Sequence, residues 1–294
     1  MKKDFATLVG FGAILSWALL AFLTDLSGQV PPFQLAAMTF AIGGSTGLIT
    51  MRLRRTSVGV FKQPLKVWAL GVGGLFGYHL LYFTALRAAP AAEASLIAYL
   101  WPLLIVLLST FATGERLKTS HVLGAVIGLI GAVLLIGGPT GLRPDPAYMT
   151  GYLIAFAAAF VWSGYSVLSR LVSEVPTDAV AGFCLATAVG AAAMHILLED
   201  TVWPGSMTAW LAVLGLGLGP VGLAFYLWDI GVKKGDLALL GAASYCAPLF
   251  STFVLIAAGR AEATWSLIGA CALITAGATI AASGMLRQAF SRRR

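Results

Sequence analysis

Apolar and polar residues follow one another along this chain in long blocks rather than at the short periods of a soluble fold. Apolar stretches of about twenty residues recur from end to end, separated by short breaks rich in Pro, Gly, Lys, Arg and Asp. That length is what a helix needs to cross a bilayer. On this ruler ten spans follow, over about 5–26, 33–51, 66–86, 93–111, 119–138, 149–170, 178–198, 207–231, 236–257 and 264–286. The breaks carry helix-ending residues, among them Pro31-Pro32, Ala89-Pro90, the run from Gly137 to Pro146, Pro176, Pro204-Gly205 and Lys234-Gly235-Asp236. The pattern predicts an all-α polytopic membrane protein with no connection long enough for a soluble domain.

The apolar runs also repeat one another. The step Tyr99-x-x-Pro102 in the fourth run returns as Tyr245-x-x-Pro248 in the ninth, 146 residues on. Trp17 falls on Trp162 and Pro31 on Pro176 at a shift of 145, and Gly131 falls on Gly277 at 146. Regular self-similarity at half the chain length predicts two related halves, here 1–140 and 141–294, of five helices each. An odd number of spans per unit inserts the second copy upside down. Inverted repeats of this kind place a site near the membrane midplane between the halves and permit two related conformations, one open to each side.

Composition agrees with the block pattern. Of 294 residues 59% are hydrophobic and only 11% charged, against about a quarter charged in soluble domains. The net charge of +7 comes from short connections, where Lys and Arg orient helices, so the balance does not point to nucleic acid. With the N-terminus in the cytoplasm, 16 of the 19 Lys and Arg lie inside and only Arg87, Arg143 and Arg260 outside. Both termini are therefore expected in the cytoplasm. The first run is longer than the apolar core of a secretory signal and is read as a span. Cys184, Cys246 and Cys271 all sit in apolar runs without metal or disulfide spacing and read as small buried hydrophobes.

Tyr and Trp normally collect at the membrane interfaces, as Trp68, Tyr148, Trp203, Trp210 and Trp265 do here. Trp17, Tyr78, Tyr82, Tyr99, Trp101, Trp162, Tyr165 and Tyr245 instead fall near the middle of their runs. In hydrocarbon an unpartnered indole N–H or phenol O–H costs free energy. These side chains must meet one another, backbone carbonyls or a wet cavity; any single one fits a packed core, and the set points to a lined central cavity. Tyr78 and Tyr82 are one turn apart and share a face, with His79 beside them. An ionisable residue at that depth is a functional candidate, either as a proton carrier or as a neutral hydrogen-bonding group. Pro102 and Pro248 each remove a helical hydrogen bond and free carbonyls near Ala98 and Ser244, as static kinks or as hinges. Ser244 adds a hydroxyl beside the second. Asp229 stands one turn from Lys233 and reads as a structural pair, while Asp25, Glu93 and His195 fall toward outer helix ends, where hydration is expected. Small-xxx-small steps at Gly43/Gly47, Gly73/Gly77, Gly124/Gly128 and Gly215/Gly219 predict close helix packing within one chain. A monomer is expected; were a dimer to form, the fifth and tenth helices would be its contact.

Ten helices in a five-plus-five repeat, a Trp in the middle of the first and sixth, the paired Tyr-x-x-Pro steps and Gly114-Glu115-Arg116 after the fourth resemble the drug/metabolite transporter superfamily, EamA type. The resemblance covers essentially the whole chain. Its richness in mid-membrane aromatics is most similar to the aromatic amino acid exporter subgroup. The second-half counterpart of Gly114-Glu115 reads Arg260-Ala261, so the resemblance assigns Glu115 no paired role.

The chain has no GxxxxGK[ST] phosphate loop, no HExxH and no metal-ligand spacing, and so no cofactor, metal or catalytic residue is expected. Residues and repeat together predict a carrier for a small molecule. The resemblance implies export of aromatic and other apolar amino acids across the bacterial inner membrane by alternating access. Substrate contacts are expected from Trp17, Tyr78, His79, Tyr82, Tyr99, Trp101, Trp162, Tyr165, Ser244 and Tyr245, with Pro102 and Pro248 as hinges. The alternatives are the same fold moving a drug, a nucleoside or a cationic metabolite, a channel, and an intramembrane enzyme.

Overall fold

The computed structural model describes residues 1–114, 117–137, 145–259 and 265–291. Glu115, Arg116, Arg143, Arg260, Ala261 and the boundary expected at 140/141 lie outside the described residues. Among these, ten helical spans follow one another, as the apolar blocks require. They are α1 (Lys3–Trp17 and Leu20–Leu26), α2 (Pro32–Leu53), α3 (Leu65–Ala88), α4 (Ala91–Ala98 and Trp101–Thr113), α5 (Thr119–Gly137) and α6 (Met149–Ser169). The rest are α7 (Ala179–Leu198), α8 (Met207–Leu218 and Ala224–Lys234 around a π turn at Gly219–Leu223), α9 (Leu237–Ala243 and Cys246–Ala257) and α10 (Trp265–Ser291). Eight of the ten are long and apolar enough over their described residues to cross a membrane, and α5 and α10 supply shorter apolar helices.

Local chemistry sets the ends. Pro32 opens α2 at a position where a helix needs no N–H. Ser206 Oγ accepts from Ala209 N at 3.1 Å to start α8, and Asp236 Oδ1 accepts from Leu239 N at 3.0 Å to start α9. Gly114 closes α4 with φ of 65°, where a side chain would strain the backbone.

Four spans are broken near their middle. The breaks in α4 at Tyr99-Leu100 and in α9 at Ser244-Tyr245 each precede a proline by a few residues, in keeping with the missing hydrogen bonds. The π turn of α8 contains Pro220, a proline within the predicted 207–231 run that was not marked as a kink. The break after Trp17 has no proline; it coincides with an indole N–H that donates to the Pro220 carbonyl at 3.0 Å, so the interruptions of α1 and α8 face each other.

The helices pack chiefly across the two halves: α1 on α8, α2 on α7, α3 on α6, α5 on α10, and α4 on both α6 and α9. Small residues permit the closest crossings. A Cβ on Gly10 would lie 2.9 Å from Gly231 Cα, and one on Gly277 would lie 2.6 Å from the Gly124 carbonyl oxygen. Gly43 likewise abuts Gly222, whereas Gly73 faces open space and Gly77, Gly215 and Gly219 make only ordinary contacts. Two of the four small-residue steps therefore work as close-packing faces inside the chain. Gly10→Val is expected to cost about 1–3 kcal/mol by forcing α1 and α8 apart; an unchanged melting temperature of the purified protein would contradict the crossing.

Candidate functional site

The centre of the bundle is a continuous aromatic cluster. Trp17 of α1 meets Trp228 of α8 at 5.2 Å between ring centroids, Trp162 of α6 at 5.9 Å and Trp101 of α4 at 6.3 Å. Trp101 in turn meets Trp162 at 6.2 Å and Trp228 at 5.9 Å. Four indoles from four helices thus close on one another, the interrupted turns of α1, α4 and α8 bringing them together. Edge and tilted geometries of this kind add about 0.5–1.5 kcal/mol per pair beyond burial.

Around this core stand Tyr78, His79 and Tyr82 of α3. Tyr78 is 5.3 Å from Trp162 and stacks on Tyr82 at 5.7 Å, and Tyr99 reaches Trp101 at 6.5 Å. Tyr165 lies 5.4 Å from Trp162 on the other side. Trp101, Trp162, Tyr165 and Trp228 are buried, whereas Trp17, Tyr78, His79, Tyr82 and Tyr99 are half-buried. The half-buried rings form an accessible edge along α3 and α4.

The polar tips are mostly spoken for. Trp228 Nε1 donates to Ser166 Oγ at 3.0 Å, and the Tyr82 hydroxyl and Ser95 Oγ are 3.0 Å apart. His79 Nδ1 is 2.7 Å from the Leu75 carbonyl, an acceptor only, so this nitrogen carries the proton. In its neutral form His79 therefore presents Nε2 as an acceptor, suited to an ammonium. The Tyr165 hydroxyl approaches Ser169 without completing a hydrogen bond and has no partner among the described residues.

Eight of the ten expected contact residues meet in or around this cluster. Ser244 and Tyr245 do not. Ser244 is fully buried with its proton donated to the Leu240 carbonyl at 2.7 Å. Tyr245 packs with Val106, Ala125 and Ala242, its ring filling the notch at Gly128. Tyr99, which the sequence pairs with Tyr245, packs against the same residues and so borders both that group and the aromatic cluster. Conversely, sequence depth missed Trp228 and Phe225. Trp228, next to Asp229, stacks over Trp162 at 6.3 Å, while Phe225 stacks on Phe40 at 5.4 Å. Their i, i+3 spacing on a helix carrying Pro220 was the available signal.

Two further groups differ from expectation at the end of the bundle opposite Lys3. His195 is buried rather than hydrated, its Nδ1 3.0 Å from Glu199 Oε2 and its Nε2 2.9 Å from Thr201 Oγ1. Glu93 accepts from the Tyr152 hydroxyl, which ties α4 to α6. Among the described residues no group of His, Cys, Asp and Glu could hold a metal ion.

This arrangement suits an apolar, ring-bearing small molecule. The family model described as "EamA-like transporter family" matches residues 4–137 and again 149–283, once in each half. The aromatic amino acid exporter YddG of Ancylobacter novellus is 55% identical over 96% of this chain and 98% of its own. The protein of that name from Salmonella typhimurium is 25% identical over 86% of this chain and 88% of its own. The pseudopaline exporter CntI of Pseudomonas aeruginosa is 28% identical over 67% of this chain and 68% of its own. A crystal structure 54% identical in sequence superposes with a TM-score of 0.92, covering 95% of this chain and 96% of that one. With both halves matched and its multiple apolar spans, the chain belongs to the EamA-like family of membrane transporters.

Proposed function

We propose that this transporter exports aromatic and other apolar amino acids across the bacterial inner membrane by alternating access, as a monomer with both termini in the cytoplasm. The observation that carries the reading is the contiguous cluster of Trp17, Tyr78, Trp101, Trp162 and Trp228 at the meeting point of the two halves. Rigid aromatic rings offer a substrate ring large contact area with little loss of conformational freedom. A relative 55% identical carries the name of an aromatic amino acid exporter, which supports the same substrate class. His79 Nε2 is placed to accept from the substrate ammonium.

We take the two halves, 1–140 and 141–294, as inverted repeats. The packing supports this: exchanging the halves converts the α1/α8 pair into α6/α3 and leaves α2/α7, α4/α9 and α5/α10 unchanged. In this reading Pro102 and Pro248 are symmetric hinges, and the substrate leaves along the half-buried edge of α3 and α4 as the indoles separate. Trans-stimulation tests the carrier directly. Phenylalanine loaded inside proteoliposomes is expected to accelerate entry of labelled phenylalanine, and a channel would give no acceleration.

His79 need not titrate in this scheme. The variant His79→Gln, which retains an acceptor, is expected to keep the wild-type pH profile with a several-fold higher half-saturation. A flattened profile measured across pH 5–8 would instead make His79 a proton carrier.

A further inference from the structure

Between the aromatic cluster and the Lys3 end of the bundle lies a second polar constellation. Asp229 and Lys233, one turn apart on α8, pair at 2.8 Å with side chains only 2% and 4% exposed. Thr177 Oγ1 donates to Asp229 Oδ2 at 2.7 Å, and Lys233 Nζ donates to the Val175 carbonyl at 2.9 Å. Both partners belong to the short link between α6 and α7. Withdrawing two charges from water costs several kcal/mol per ion, which their attraction barely repays. Stability alone is a weak reason for such a pair.

The pair also stands between two cavities. The inner one is walled by Gly71, Phe183, Tyr165, Ser169, Asp229 and Lys233. The other, nearer the surface, is formed by the α6/α7 link together with Lys233 and Lys234. Lys233 borders both. Tyr165 also lines the inner cavity; its buried hydroxyl completes no hydrogen bond among the described residues, and its ring is in contact with Trp162. One charge of each sign, the Tyr165 hydroxyl and an aromatic wall therefore line this narrow inner cavity, and the Tyr165 ring links it to the cluster.

We propose that Asp229, Lys233 and Tyr165 form a loading subsite for a zwitterionic α-amino acid on its way from the cytoplasm to the aromatic cluster. The inference rests on the proposed function and adds to it the group that recognises the amino acid backbone. Asp229 releases the Lys233 ammonium and accepts from the substrate ammonium; Lys233 turns to the substrate carboxylate, to which the Tyr165 O–H also donates. A zwitterion brings both charges at once, so neither member of the pair is left buried and unpaired. An amine without a carboxylate, or an acid without an amine, satisfies one partner and strands the other, which is costly.

The test compares binding of phenylalanine, phenethylamine and 3-phenylpropionate to the purified full-length protein by calorimetry, with phenylalanine counterflow alongside. Wild type is expected to prefer phenylalanine at least tenfold over either analogue. Asp229→Asn/Lys233→Gln, which removes both charges together, is expected to weaken phenylalanine binding at least tenfold and erase the preference. The charge swap Asp229→Lys/Lys233→Asp is expected to restore part of that preference. Tyr165→Phe is expected to weaken phenylalanine binding two- to fivefold. A doubly neutral variant that binds phenylalanine like wild type, with its preference intact, would reduce the pair to a structural contact and overturn the subsite. If that variant does not fold, Tyr165→Phe decides, and unchanged binding overturns the proposal. Wild type that carries no amino acid at all sinks the proposed function itself; wild type that carries phenylalanine beside an unaffected double variant sinks the subsite alone.

Discussion

Replacing Trp162 by alanine is expected to lower phenylalanine counterflow in proteoliposomes at least tenfold, the largest loss of any single aromatic substitution. Trp162 touches six other rings, those of Trp17, Tyr78, Trp101, Tyr165, Phe225 and Trp228. It joins the indole core to Tyr78 of α3 and to Tyr165, which lines the inner polar cavity. Truncating a buried indole also costs about 3–5 kcal/mol of stability, so transport loss alone would be ambiguous. Trp162→Phe separates the two effects: it keeps an aromatic face and most of the packing, and is expected to melt close to wild type while transport drops severalfold. Trp265→Ala, at a ring 87% exposed at the start of α10, is expected to leave counterflow unchanged. Full transport by Trp162→Ala, accompanied only by a lower melting temperature, would make the cluster a packing core.

An equally large effect on stability is expected at Glu199, far from the aromatic cluster. Its carboxylate, with a side chain 2% exposed, accepts from Phe33 N at 3.0 Å and Gln34 N at 3.1 Å at the start of α2. It also receives Arg87, in the last turn of α3, at 2.5 Å and His195 of α7 at 3.0 Å. One side chain therefore holds three helix ends together. Glu199→Ala leaves the first N–H groups of α2 and the His195 ring without their acceptor, and breaking a buried charged network costs about 3–5 kcal/mol. At a few degrees per kcal/mol for a chain of this size, that lowers the melting temperature by about 6 °C or more. Glu199→Gln keeps an acceptor for the backbone groups and is expected to lose less than half as much. Equal losses for both would mean that charge, not capping, holds this end. Arg54 and Asp178, paired at 2.5 Å, join the opposite ends of α2 and α7. That pair is largely exposed on the arginine side, so Asp178→Asn should cost far less.

Much of the fold was legible because a bilayer ruler is coarse and strong: each apolar block became a span, and Tyr99-x-x-Pro102 and Tyr245-x-x-Pro248 marked real interruptions. Rotation about a helix axis was not legible. The sequence pairs Tyr99 with Tyr245, yet the first reaches Trp101 in the aromatic cluster and the second packs beside Gly128. A break changes the azimuth of all that follows it, and spacing alone does not record by how much. Depth was also misleading where charge intervened. Asp229 and Lys233 mark α8 as polar near its end, although burial of the ion pair lets the apolar environment around Trp228 extend past it. The clasp at Glu199 was illegible for a different reason: its members come from residues 33, 34, 87, 195 and 199, and only the fold brings them together.

The account stands or falls on what the aromatic centre carries. The most direct measurement is counterflow of labelled phenylalanine, tryptophan, threonine, a nucleoside and a lipophilic cation by the purified protein in proteoliposomes, with and without a pH gradient. The account predicts entry of phenylalanine and tryptophan, each displaced by the other and neither by the cation. Transport of the lipophilic cation with no movement of either aromatic amino acid would contradict it.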